Sequence, residues 1–210
     1  MPDRGRVMEN TTEIHTIIKE ILSRRQPELI DDPGGSYLHA GVLIPLFKKD
    51  GEYRVIFTKR SSMVAHHKGQ ISFPGGAVDP EDHSPVETAL REAFEEIGLR
   101  KDHVEILGRI DDTLTLVSSF LVHPVVGLVP YPYRFALSEQ EVERLIIVPL
   151  RVFHPSYAKP SAGVVDYEGI TYRSIVYEYN GDVIWGATAR IMQNFMDIVG
   201  DKLPLPEGGG

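Results

Sequence analysis

Three glutamates, Glu92, Glu95 and Glu96, stand within one helical turn of the stretch REAFEEIGL, Arg91 to Leu99. Taking Glu92 as zero and about 100° per residue, Glu96 lies at about 40° and Glu95 at about 300°. Val86, Leu90, Ala93, Phe94 and Ile97 fall between about 100° and 200°, so the acids oppose the apolar stripe. Like charges at this spacing mildly destabilise a helix, and no lysine offsets them within the turn. Hard divalent cations take oxygen ligands and would relieve the repulsion. The same pattern alone also describes the solvated face of an amphipathic helix.

The segment before the acids sharpens the choice. In FPGGAVDPEDHS the Gly75-Gly76 pair allows the main chain to approach a ligand or a helix closely. Ser84 suits the N-cap, Pro85 the first helical position and Gly98 the helix end. A glycine turn followed by an acidic helix defines a candidate metal and phosphate site.

The positioning elements are short β-rich runs, AGVLIPLF, YRVIFTKR, VEILGRI, TLTLVSSFLV and PVVGLV, separated by Gly, Pro and Asp. A second long helical pattern runs from about Ala187 to Val199, after an Asn180-Gly181 hairpin signal. Ahead of the strands, Ile14, Ile17, Ile18, Ile21 and Leu22 follow helical spacing, with Asn10 and Glu13 as a capping pair. These patterns predict an α+β fold with a mixed sheet packed between helices. They divide the chain into a helix and linker (1–35), one main domain (36–200) and a tail (201–210). His154 to Gly169, rich in Pro, Gly and Ser, reads as a loop that either covers the cleft or is an ordinary surface connection, Trp185 as core, and the seven tyrosines from Tyr131 to Tyr179 as packing residues or an adenine-stacking group.

The formal net charge of −8 argues against a nucleic-acid polymer as partner. A cluster of cations or a bound metal can still reverse the field within one cleft, so small anions remain substrates. The absence of cysteine removes disulfides, thiolate sites and thiol nucleophiles and suits a reducing compartment. Thr113 to Tyr133 carries no formal charge, but His123 and three prolines interrupt it, and buried strands are expected rather than a membrane span. The expectation is a cytoplasmic protein, with the N-terminal helix or the uncharged strands as a face for a homodimer.

GGAVDPEDHSPVETALREAFEEIGL resembles the Nudix hydrolase box, Gx5Ex7REUxEExGU. Arg91 to Leu99 matches every specified position. At the first glutamate of the box stands Asp82, separated from Arg91 by eight residues rather than seven. FTKRSSMVAHHKGQISFPGG is similar to the upstream signature of the coenzyme A pyrophosphatase branch, LLTxRSx3Rx3Gx3FPGG. Its second arginine falls on Ala65, with Lys59, His66, His67 and Lys68 as nearby cations. DDTLTLVSSFLVHPVVGLV, EVERLIIVPL and IWGATARI extend the resemblance across most of Gly41 to Val199.

This resemblance implies a Nudix-type α/β/α sandwich that hydrolyses a diphosphate linkage, most simply coenzyme A or acyl-coenzyme A to 3′,5′-ADP and (acyl-)4′-phosphopantetheine. It implies Mg2+ or Mn2+ held by Glu92, Glu95, Glu96 and the Gly76 carbonyl, with Arg91 orienting a glutamate. Arg60, Ser61, Gly69, Gln70 and Phe73 become the substrate-binding candidates. Rival expectations are a Nudix hydrolase of ADP-ribose, NADH or a nucleoside triphosphate, and a noncatalytic Nudix-fold binding module. A Ser-His-Asp hydrolase has no GxSxG elbow to support it.

Overall fold

The structure is a computed structural model that describes residues 13–62, 69–115, 119–157, 161–167 and 169–204. Ala65, His66, His67, Lys68 and Asn10, all singled out above, lie outside the described residues.

In chain order the elements are α1 (Ile14–Ser23), β1 (Leu38–Lys49), β2 (Glu52–Arg60), β3 (Ile71–Ser72), β4 (Gly75–Ala77) and α2 (Pro85–Ile97). These are followed by β5 (Glu105–Arg109), β6 (Thr113–Leu114), β7 (Phe120–Leu128), β8 (Val142–Pro149), β9 (Ser161–Tyr167), β10 (Ile170–Tyr179), β11 (Asp182–Trp185) and α3 (Gly186–Val199). The main sheet runs β3-β2-β1-β7-β5, with β4 on β1, β6 on β7 and β8 on β2. β1 and β7 pair in parallel and the other ladders are antiparallel, so the sheet is mixed.

Alternation along β1 divides the interior in two. Ala40, Ile44 and Leu46 enter a core shared with Ile18 and Leu22 of α1 and with Met192, Phe195 and Val199 of α3. Leu43 enters a smaller core with Ala89, Ala93 and Ile97 of α2. The helices therefore cover both faces of the sheet, as the α+β expectation requires. The N-terminal helix is integral to this packing, with Ile18 fully buried.

Local signals explain the ends of α2. The Ser84 hydroxyl accepts the Glu87 N–H at 3.2 Å, Pro85 opens the helix, and Gly98 closes it at φ 67°. By contrast, Glu13 caps α1 in an extended conformation without a side-chain hydrogen bond. Asn180 and Gly181, at φ 51° and 84°, form the turn between β10 and β11.

Three expectations need correction. TLTLVSSFLV contains two strands rather than one, with Thr113 opposite Val122 and Leu114 opposite Leu121. The expected loop between His154 and Gly169 contains β9, which pairs with β10 and completes a separate β11-β10-β9 sheet. Trp185 is partly exposed instead of lying in the core. Among the described residues, no helix is long and apolar enough to cross a membrane.

Gly41 sets how closely α2 approaches the sheet. A Cβ there would stand 2.7 Å from the Pro85 carbonyl oxygen, 2.8 Å from Thr88 Cβ and 3.0 Å from Ala89 N. Gly41→Val is expected to destabilise the protein by about 1–3 kcal/mol through overpacking, read from the midpoint of urea unfolding.

Candidate active site

The site lies where β4 meets the second half of α2. Gly75 and Gly76 form the floor, paired to Val42 and Gly41 of β1. A Cβ on Gly76 would stand 2.5 and 2.6 Å from the Glu92 carboxylate oxygens, so a glycine is required for Glu92 to lie on this strand. Gly75 has the backbone conformation φ 159° and abuts Val42 just as closely.

Arg91 organises the acids. Its Nε and Nη2 donate to the two Asp82 oxygens at 3.1 and 2.9 Å, and Nη2 also donates to the Ala77 carbonyl at 2.9 Å. Nη1 donates to Glu92 at 2.7 Å and to Glu95 at 3.2 Å. Arg91 thus orients glutamates, and both Asp82 oxygens are engaged by its guanidinium. That bidentate hydrogen bonding holds the Asp82 carboxyl down at about 2. The extra residue between Asp82 and Arg91 is absorbed in the turn, where Asp82 also accepts the Asp79 N–H at 2.9 Å.

Glu96 differs from its neighbours. Its side chain is 4% exposed, and among the described residues the cation paired with it is Arg60, with Nη1 4.0 Å from Oε1. Burial pushes its carboxyl up to about 8; Glu92 and Glu141 add to the rise, while Arg60 and a hydrogen bond from the Gly75 backbone oppose it. Among the described residues, Glu96 Oε2 and Arg60 Nε are buried without a hydrogen-bond partner. Glu92 is raised too, chiefly by burial, whereas the Glu95 side chain is 50% exposed.

Among the described residues, no three acidic or histidine side chains converge into a finished cation cage. Even so, the donors suit a hard cation: they are all oxygens, and one buried carboxylate oxygen lacks a partner. The Gly76 carbonyl belongs to the same floor.

The upstream candidates separate. Arg60 faces Glu96, and its backbone N–H donates to the Gln70 carbonyl at 2.9 Å. Its carbonyl accepts the Gly69 N–H at 3.1 Å, so Gly69 and Gln70 close the loop beside Arg60. Ser61 is buried and donates its N–H to the Glu141 carbonyl at 2.8 Å. Phe73 is corrected to a core residue: it packs against Phe57 with centroids 4.8 Å apart, is 3% exposed and belongs to the larger core.

Glu141 is the acid that motif reading missed. It precedes β8, and its charge acts on both Glu92 and Glu96. No spacing rule connects it to the box. The only sequence signal was its place at the head of EVERLIIVPL.

A family model of the NUDIX domain matches residues 37–161. A protein named as an uncharacterized Nudix hydrolase, NudL, of Yersinia enterocolitica is 37% identical over 183 residues, covering 84% of this chain and 90% of the relative. NudL of Yersinia pestis is 37% identical over 157 residues, covering 74% of this chain and 76% of the relative. A MutT/nudix family protein from Enterococcus faecalis, 14% identical, superposes with a TM-score of 0.51 over 92% of this chain and 71% of that one, a likeness of fold. The chain belongs to the Nudix hydrolase family, and it is a pyrophosphohydrolase.

The Asp82–Arg91 pair gives a pH-dependent contribution to stability. The folded value of about 2 lies below the ordinary 3.8, so the contribution is complete above about pH 5 and is lost as pH falls towards 2. The stability difference between wild type and Asp82→Asn is therefore expected to be constant from pH 7 to about 5 and to shrink by pH 3, measured by denaturant titration at each pH.

Proposed function

We propose that the protein hydrolyses the diphosphate of coenzyme A or acyl-coenzyme A, with Mg2+ or Mn2+ held by Glu92, Glu95, Glu96 and the Gly76 carbonyl. The observation that carries this reading is the buried, under-satisfied Glu96 carboxyl facing Arg60 on a glycine floor. A cation bound there would neutralise the diphosphate and lower the pKa of an attacking water.

The remaining work falls to this chain's own groups. Arg60 offers its guanidinium to a phosphate oxygen, a charge-assisted contact that also gives its Nε a partner. Asp82 fixes Arg91, and Arg91 fixes Glu92 against Gly76. One carboxylate of the Glu92, Glu95, Glu96 and Glu141 set accepts the proton released by water. Water adds to one phosphorus, the bridging oxygen leaves with the other, and the products are 3′,5′-ADP and 4′-phosphopantetheine.

The reading is tested by mass spectrometry of products from coenzyme A, ADP-ribose, NADH and a nucleoside triphosphate, each with Mg2+ or Mn2+. Selective release of 3′,5′-ADP supports the coenzyme A assignment. Turnover of another substrate alone moves the specificity within the family, and no product from any of them favours a binding module. Glu96→Gln is expected to lower divalent-dependent turnover by at least about 10²-fold while keeping the melting temperature. Unchanged turnover in that variant would remove Glu96 from the chemistry.

A further inference from the structure

Two histidines of the main sheet form a chain that ends on a carboxylate at either side. His39 of β1 and His123 of β7 stack with ring centroids 5.2 Å apart, and His39 Nδ1 lies 2.9 Å from His123 Nε2. The far nitrogen of His123, Nδ1, is 2.8 Å from Asp112 Oδ1, while His39 Nε2 is 3.6 Å from Asp32 Oδ2. Among the described residues, the charged groups that meet the pair are these two acids and Arg109, which donates to Asp112 at 3.2 Å. Where α2 packs on β1 beside them, at Gly41, the nearest residues are the uncharged Pro85, Thr88 and Ala89.

The inner end of the chain is sealed and the outer end is open. The Asp112 side chain is 1% exposed and His123 is buried, whereas the His39 side chain is 42% exposed. An ionised carboxylate only accepts, so His123 carries its hydrogen on Nδ1 and offers Nε2 as a lone pair. His39 Nδ1 is then the donor between the rings. A further proton on His39 Nε2 fits the chain, because that nitrogen faces Asp32. A further proton on His123 Nε2 does not, because two N–H groups would oppose one another across 2.9 Å.

Both acids also hold the linker between α1 and β1. Asp32 accepts the N–H groups of Ser36 and Tyr37 at 2.8 and 3.0 Å. Asp112 accepts the Ile30 N–H at 3.2 Å and donates its own N–H to the Glu28 carbonyl at 3.0 Å. We propose that His39 and His123 are a proton-sensitive clasp: one hydrogen shared between the rings holds residues 28–37 on the sheet, and protonation of both rings releases them. The open form binds one proton more than the closed form, so closure is favoured as pH rises through the range in which histidines change charge and is lost as pH falls through it.

Hydrogen exchange of the full-length protein, corrected for the intrinsic rate at each pH, reads the clasp through the amides of Ile30, Ser36 and Tyr37. From about pH 7.5 to about 5.5 their protection is expected to fall by up to about tenfold per pH unit, while the β2–β8 ladder keeps its own. Asp32 does not titrate in this range, since the Ser36 and Tyr37 N–H groups, and further His39, hold its carboxyl below the ordinary 3.8. His39→Gln and His123→Gln, which each leave one titrating ring beside an amide, are expected to make the protection independent of pH. Protection independent of pH in the wild type overturns the clasp, as does a parallel loss in the β2–β8 ladder or a pH dependence retained in either variant. Nitrogen-15 NMR of the wild type decides the matter without a variant: His123 Nε2 is expected to stay unprotonated for as long as the linker amides are protected, and a protonated Nε2 with protection intact overturns the proposal.

Discussion

The close seating of α2 on two glycines governs the arrangement. Gly41 lets the first turns of the helix rest on β1, and Gly76 leaves the space that the Glu92 carboxylate fills. Both contacts are tighter than any side chain would permit, so the separation between helix and sheet is set by backbone. From that spacing follow the burial of Glu96, the reach of Arg91 to the Ala77 carbonyl, and the approach of Arg60 from the far side.

Arg91 resolves an electrostatic problem that the helix creates for itself. Glu92 and Glu95 repel one another on the same turn, and Asp82 adds a further negative charge from the preceding loop. One guanidinium contacts all three and a carbonyl as well. Glu96 is left outside this arrangement, and among the described residues Arg60 faces it at the edge of ion-pair distance. The carboxylates therefore divide into a neutralised group that is held in place and one buried member with capacity to spare.

Much of this was legible in the sequence because the signals were local. Ser84, Pro85 and Gly98 bracket α2 through hydrogen bonds within a few residues, and Asn180-Gly181 fixes a hairpin by its own backbone preference. What escaped was non-local or depended on which face a side chain takes. Phe73 sits inside a matched motif, yet packing against Phe57 turns it into the core. Glu141 reaches the site only because the chain folds back ahead of β8, a fact no spacing records. The composition of His154 to Gly169 suggested a loop, but pairing with β10 overrides local preference and makes a strand.

The end of α2 also serves as a mooring. The carbonyls of Glu96 and Ile97 accept the N–H groups of Ser138 and Ala136, at 2.9 and 3.0 Å. Ser138 in turn accepts from Glu141 and Val142 through its carbonyl, and the Glu141 carbonyl receives the Ser61 N–H. The helix terminus, the approach to β8 and the start of the upstream loop are thereby threaded on one line of hydrogen bonds. A displacement of Glu96 along the helix axis must be transmitted to Glu141 and to the residue after Arg60. The two sides of the cleft behave as a single mechanical unit, although they are distant in the chain.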